Sequence, residues 1–212
     1  MPEATSQHFT LSDKLKRRLF AIEDVIFAKR YKLNLGGVIA REDLEGADEE
    51  SRSHATAYHG VWCRNLRELF NKAGKLRISF DNFVDIGSGK GKACFYASMK
   101  MDFKCVIGVE FSRPLVEISL ENSRQFGRSN INFYHADARS YSLPPGDSLI
   151  FLFNPFDDLI LQCFLRNNLD HFQKHRSVIA YANDIHKETL SLYGFEMIFR
   201  NPTRKISLYQ LA

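Results

Sequence analysis

The chain has 212 residues and a mass of 24.5 kDa, a length that most often makes one domain with room for a small extension. It is 44% hydrophobic and 25% charged, which excludes wholesale disorder and a collagen-like or coiled-coil chain. A formal net charge of +4 and a pI near 8.8 are too mild to mark a nucleic-acid binder by charge alone.

The first predicted element is an amphipathic helix over Leu11–Lys32. Leu11, Leu15, Leu19, Ile22 and Ile26 recur at helical spacing, Phe20 and Phe27 widen the stripe, and Thr10 with Asp13 makes a capping-box pattern. The basic run Lys14, Lys16, Arg17 and Arg18 lies mostly off that stripe and reads as a solvated face. Residues 36–53 read as a loop, glycine-rich at Gly36–Gly37 and acidic later, with a short strand over Val38–Ala40. A second helix is expected over Gly60–Lys72, with Leu66, Leu69 and Phe70 inward and Gly74 as the terminating glycine.

After residue 80 apolar runs alternate with helical patterns. Strands are expected at Phe83–Ile86, Cys105–Val109, Ile131–Tyr134, Ser148–Phe153 and Ser177–Tyr181. Helices are expected at 91–100, after the capping Ser112 with Pro114 in the first turn, at Asp157–His171 and at Ile185–Tyr193. Nearly continuous apolar strands suit a parallel sheet covered on both faces. Phe195–Arg200 and Lys205–Leu211 are separated by four residues, which allows an antiparallel hairpin and excludes a parallel crossover. The expected fold is therefore α/β: a doubly wound, mostly parallel sheet with an antiparallel C-terminal hairpin. Residues 1–79 form a helical extension or lid, and residues 80–212 the main domain. In such sheets ligands bind beyond the carboxyl ends of the strands.

Cys63, Cys94, Cys105 and Cys163 form no Cys-x-x-Cys pair, and read as free, partly buried thiols of a reducing compartment. The N-terminus carries no secretory pattern and no apolar run is long enough to span a bilayer, so a cytoplasmic protein without membrane contact is expected.

The strongest chemical signal is Asp85-Ile86-Gly87-Ser88-Gly89-Lys90-Gly91, which follows the first strand of the main domain and opens a helix. A phosphate-binding P-loop aligned on Gly91-Lys92 would have Ile86 for its first glycine and Ala93 for its hydroxyl, losing both the turn and the magnesium ligand. A dinucleotide fingerprint begun at Gly87 has Lys92 for its third glycine, and one begun at Gly89 has Cys94 there, where close helix packing needs glycine. Acidic residues stand at the tips of the next two strands. Glu110 comes 19 residues after Gly91, and Asp137 lies in His135-Ala136-Asp137-Ala138. Asn154-Pro155-Phe156 follows the fourth strand.

These motifs, in this order, resemble the class I (Rossmann-like, seven-stranded) S-adenosylmethionine-dependent methyltransferases over residues 80–212. The resemblance implies that Asp85, Gly87, Ser88, Gly89 and Gly91 cradle the amino-acid end of S-adenosylmethionine. Glu110, with neighbouring Phe111, would meet the ribose hydroxyls, and Asp137, with neighbouring Ala138, the adenine. It also implies that Asn154 and Phe156 stand beside the transferred methyl. Amino-methyltransferases of planar nitrogens carry Asp/Asn-Pro-Pro-aromatic there, whereas this chain has one proline, so a plain turn remains an open alternative. Gly36-Gly37 and Tyr58-His59-Gly60 resemble the extension of some methyltransferases, which brings Tyr58 to the cofactor. Lys90 and Lys92 read as solvated helix-start lysines, and His135 as structural. The expected activity is methyl transfer to an acceptor, with a lean to nitrogen, on a protein or small molecule, needing no metal. A non-catalytic cofactor-binding module and a nucleic-acid methyltransferase are the alternatives.

Overall fold

The computed structural model describes residues 11–44 and 53–212. Thr10 and the acidic residues 45–50 lie outside the described residues, as do the side chains of Leu11, Lys14, Leu15, Lys16 and Arg17. The elements in chain order are α1 (Leu11–Arg30), a 3-10 turn (Arg41–Asp43), α2 (Cys63–Ala73), a second 3-10 turn (Gly74–Leu76), β1 (Asn82–Ile86), α3 (Lys92–Lys100), β2 (Cys105–Glu110), α4 (Arg113–Phe126), β3 (Ile131–His135), β4 (Ser148–Leu152), α5 (Asp158–Asn167), α6 (Leu169–Lys174), β5 (Val178–Ala182), α7 (Lys187–Leu192), β6 (Phe195–Asn201) and β7 (Ile206–Leu211). Among the described residues no helix is long and apolar enough to cross a membrane.

The strands make one seven-stranded sheet in the order β3-β2-β1-β4-β5-β7-β6. β1 to β5 are parallel, and β7 runs against both its neighbours. The seven-stranded, doubly wound sheet with its reversed hairpin is as the sequence predicts. Alternation along each central strand divides the core. Phe83, Val106, Phe151, Val178 and Leu208 face one layer with α2, α3 and residues 27–35. Val84, Ile86, Ile150, Leu152 and Ile179 face the other, with α5, α6 and α7. The direction of winding reverses between β1 and β4, so the loops after these two strands meet at the switch point where a ligand is expected.

Four local expectations change. Leu19, Ile22 and Ile26 are each more than half exposed. α1 packs instead through Phe20, Asp24, Phe27 and Tyr31, whose rings meet Trp62, Tyr96 and Phe126. Aromatic burial outweighs the aliphatic stripe. Gly74 has a right-handed backbone (φ −63°) and the chain runs on into the second 3-10 turn, after which Arg77 takes the left-handed conformation. Ser112 occupies the cap position of α4, but its hydroxyl makes no cap bond. The helix expected over 157–171 is two helices, broken at Asn168, whose side chain accepts from Leu143 N at 2.7 Å and donates to Tyr141 O at 2.9 Å.

The N-terminal layer is tied to α3 by a buried charge. Lys92 is 6% exposed, and its Nζ lies 2.7 Å from Asp24 Oδ2, while Asp24 Oδ1 accepts from Cys63 N at 2.9 Å. Lys92 is thus an interior cation, because the N-terminal layer covers the start of α3. One aspartate neutralises the lysine and satisfies an amide at the start of α2. Asp24→Ala leaves the ammonium buried without a partner and is expected to cost about 3–5 kcal/mol, against a smaller loss for Lys92→Met, in urea denaturation. Equal losses from the two would refute the buried-charge account.

Candidate active site

A cavity of about 520 Å³ opens at the carboxyl end of the sheet. Its floor is the switch point. Gly87 has φ +78°, and a Cβ there would fall 2.2 Å from Pro155 Cβ, so only glycine lets the loop after β1 lie against the loop after β4. Glu110 closes one side. Its carboxylate is 5% exposed, with Oε2 accepting from Gly89 N at 2.8 Å and Oε1 from Ser112 N at 2.9 Å. Burial pushes this carboxyl above its ordinary range, and the backbone amides of Ser112, Gly89 and Phe111 offset only part of that rise. Each oxygen keeps a further lone-pair direction, so the group can still receive donors from the cavity.

Asp137 and Ala138 line the next part of the wall, beside Phe111. Asp137 Oδ1 accepts from Arg139 N at 2.8 Å, and Oδ2 lies 2.9 Å from the Arg139 guanidinium. His135 Nε2 lies 2.8 Å from Phe111 O, which fits a structural histidine.

Residues 54–60 make the opposite wall. Ala55 pairs with Phe156 in an isolated antiparallel bridge. Thr56 N donates to Pro155 O at 3.0 Å, and Thr56 Oγ1 to Asn154 O at 2.7 Å. His54 Nδ1 lies 2.5 Å from Asp157 Oδ2. Asn154 itself has φ +44°, in the left-handed region that asparagine tolerates, and its Oδ1 accepts from Tyr181 at 3.1 Å. Tyr58 lies over the glycine loop, where a Cβ on Gly89 would meet its ring at 2.3 Å. Its hydroxyl donates to Leu35 O at 3.3 Å, and burial raises the phenol above its usual range. Lys90 donates to Gly36 O at 2.6 Å with Nζ 5.5 Å from the Tyr58 ring, so it too is interior, with burial lowering its affinity for a proton.

The cavity wall therefore brings together Tyr58, Gly87, Glu110, Phe111, Asp137, Ala138, Asn154 and Phe156. Asp85, Ser88, Gly89 and Gly91 stand one layer behind it. Ser88 is 7% exposed and close to Gly108, Gly89 is under Tyr58, and Gly91 is against Phe133 and Phe95. Asp85 is 3% exposed on the α3 side of the sheet, with Cys94 Sγ 3.8 Å from Oδ2. Sequence reasoning missed Thr56, Trp62, Ile160 and Asn183, which also line the cavity. The last two lie just past expected strands or caps, where position alone could have raised them. Thr56 sits in a stretch without periodicity, and Trp62 falls at the start of a predicted helix whose inward positions pointed to Leu66, Leu69 and Phe70 instead.

The residues matched by a methyltransferase domain family model are 79–200, more than half of the chain, and the chain belongs to that family. The cofactor of this family is S-adenosylmethionine. Solved structures agree in fold. Ribosomal protein L11 methylase from Lactobacillus delbrueckii subsp. bulgaricus is 14% identical, covering 70% of this chain and 78% of that one, with a TM-score of 0.52. TrmN from Thermus thermophilus is 16% identical, covering 72% and 49%, with a TM-score of 0.55. A SAM-dependent methyltransferase from Aquifex aeolicus is 15% identical, covering 71% and 98%, with a TM-score of 0.51. A search of curated proteins finds no match.

The cavity suits the cofactor. Its lining mixes apolar and aromatic side chains with the carboxylates of Glu110 and Asp137, the amides of Asn154 and Asn183, and Thr56 and His59, which fits a flat base and a diol, and its volume is that of a site for a ligand of this size. The buried pair behind it makes a separate prediction. Burial, reinforced by the nearby Glu110, pushes Asp85 well above its ordinary value of 3.8. Between 3.8 and the raised value the unfolded chain has released this proton and the folded chain has not. Folded stability therefore falls as pH rises through that window. Asp85→Asn is expected to flatten this slope, measured as urea midpoints from about pH 4 to about pH 8; an unchanged slope would count against it.

Proposed function

We propose that this methyltransferase moves the methyl group to an acceptor nitrogen held between Asn154, Phe156 and the wall of residues 54–60. The observation that carries the reading is the buried Glu110 carboxylate at the cavity edge, fixed by two backbone amides and with acceptor capacity left for a diol. Glu110 would hold the ribose, Phe111 and Ala138 would flank the adenine, and Asp137 would receive its amino group. Asp85, Ser88, Gly89 and Gly91 would act from behind by holding the loop that carries Gly87. Tyr58 would keep water from the glycine loop by covering it.

S-adenosylmethionine supplies a methyl already activated by a positive sulfur, so the chain's work is alignment and exclusion of water. Asn154 Oδ1 and the Asn154 and Pro155 carbonyls each accept one internal bond and keep a lone pair to orient the acceptor's N–H groups. With the cofactor bound, the methyl would pass to the acceptor nitrogen as the carbon–sulfur pair returns to sulfur, and Asn154 and Pro155 would hold the nitrogen in line until it releases a proton to water. In this reading residues 1–79 form a wall and lid over the domain of residues 80–212. The four unpaired cysteines support a reducing, cytoplasmic compartment.

Glu110→Ala is expected to weaken cofactor binding by about a hundredfold, the loss of two bonds to a charged acceptor, in titration calorimetry. Wild-type affinity in this variant would sink the assignment. Asn154→Ala is expected to keep cofactor affinity and lower methyl transfer by about a hundredfold through misalignment. Full turnover with labelled cofactor would return Asn154 to the role of a turn residue.

A further inference from the structure

A second depression lies beside the cavity. Arg64, Arg67, Lys72 and Lys75 line it along α2 and the following turn, and Arg204 closes it from the β6–β7 turn. Arg64, Arg67 and Lys72 spread over about 12 Å of α2, and Lys75 follows in the 3-10 turn. Two carboxylates sit among them: Glu23 pairs with Arg67, and Glu68 with Arg204. The five cations outnumber these two anions.

The depression is joined to the cavity by aromatic rings. The Arg64 guanidinium lies 4.5 Å above the Phe20 ring, and Phe20 meets Trp62 edge-on at 6.3 Å. Trp62 lines the cavity. Phe20 and Trp62 are both partly exposed, so each keeps surface for a further planar group. The far side is close as well. Asn183 lines the cavity, and the next residue, Asp184, donates its N–H to Lys205 O in the turn that carries Arg204. The order along the surface is cations, aromatic rings, then the methyl-transfer cavity.

We propose that this groove binds the backbone of a single-stranded nucleic acid and delivers one of its bases to the cavity. The inference rests on the methyltransferase reading above and sharpens its acceptor from a nitrogen in general to a nucleobase nitrogen. Cations spread along α2 and the following turn give a phosphate backbone several points of contact, and rings between charge and cavity match unstacked bases. An acidic peptide would use the cations but not the rings. A duplex would not pass its bases to Trp62 without opening.

Fluorescence anisotropy of the full chain with a labelled single-stranded RNA of about twelve nucleotides, and with DNA of the same sequence, tests this. Binding by either strand is expected, with log affinity falling against log salt at a slope of about −2, for about three phosphates neutralised. The double variant Arg64→Ala, Lys75→Ala is expected to bring the slope to about −1 and to weaken binding at least tenfold. Lys75→Glu, at an exposed position, repeats the test without touching the aromatic contact. Calorimetry with S-adenosylmethionine runs beside it and should match wild type in both variants. No binding of either strand at low salt, binding unchanged in the variants, or equal competition by polyglutamate would overturn the proposal. Strand binding retained without cofactor binding would instead overturn the methyltransferase reading and leave the groove standing.

Discussion

A carboxylate removed from water must find donors or lose its charge. At the tip of β2, Glu110 finds two, the amides of Gly89 and Ser112, and so spans the glycine loop and the start of the segment leading into α4. These two loops would otherwise be separate turns on neighbouring strands. One buried side chain makes them a single wall, and the cavity keeps its shape because that wall cannot open without stranding a charge. Glu110 and Asp85 also repel, and the structure answers by giving Glu110 the amides and Asp85 only a weak thiol. Burial raises both carboxyls, Asp85 the further, because the amides that offset the rise at Glu110 have no counterpart at Asp85.

The N-terminal layer is built on the same logic. It contributes hydrophobic surface to the core, and it also supplies the partners of polar groups around the cavity. Asp24 reaches Lys92, Gly36 accepts from Lys90, and Thr56 takes both carbonyls of the Asn154-Pro155 turn. Each contact satisfies a group that the strand-and-helix alternation leaves unpaired. The layer is therefore part of what makes the site rigid, not a cover laid over a finished one.

The sheet was legible because its signals are local and repeated. Apolar runs such as Leu149–Leu152 announce buried parallel strands, and Asn201–Arg204 is too short for anything but a hairpin. The residues at strand tips were legible for the same reason, since topology places them whatever the details. The inward face of α1 was not, because Leu19, Ile22 and Ile26 form a better stripe on paper than Phe20, Asp24, Phe27 and Tyr31. The choice between the faces is made by Lys92 and the rings of α3 and α4, far along the chain. The burial of Lys90 and Lys92 was hidden likewise, because a helix-start lysine is solvated unless something distant covers it. Asp85 illustrates a subtler limit: its place in the motif was readable, but not that it faces away from the cavity.

The contact between Gly87 and Pro155 has a consequence for how such a site can change. The two loops at the switch point leave no room for even one added methyl, so the floor of the cavity cannot be remodelled by substitution at Gly87. Residues 54–60 are held differently, by main-chain bonds at Thr56 and Tyr58 and by the side chains of His54, Thr56 and Tyr58, none of which is pressed against a glycine's missing side chain except the Tyr58 ring. Substitution can therefore reshape that rim while the floor stays as it is, so the form of the cavity is free to vary from one side only.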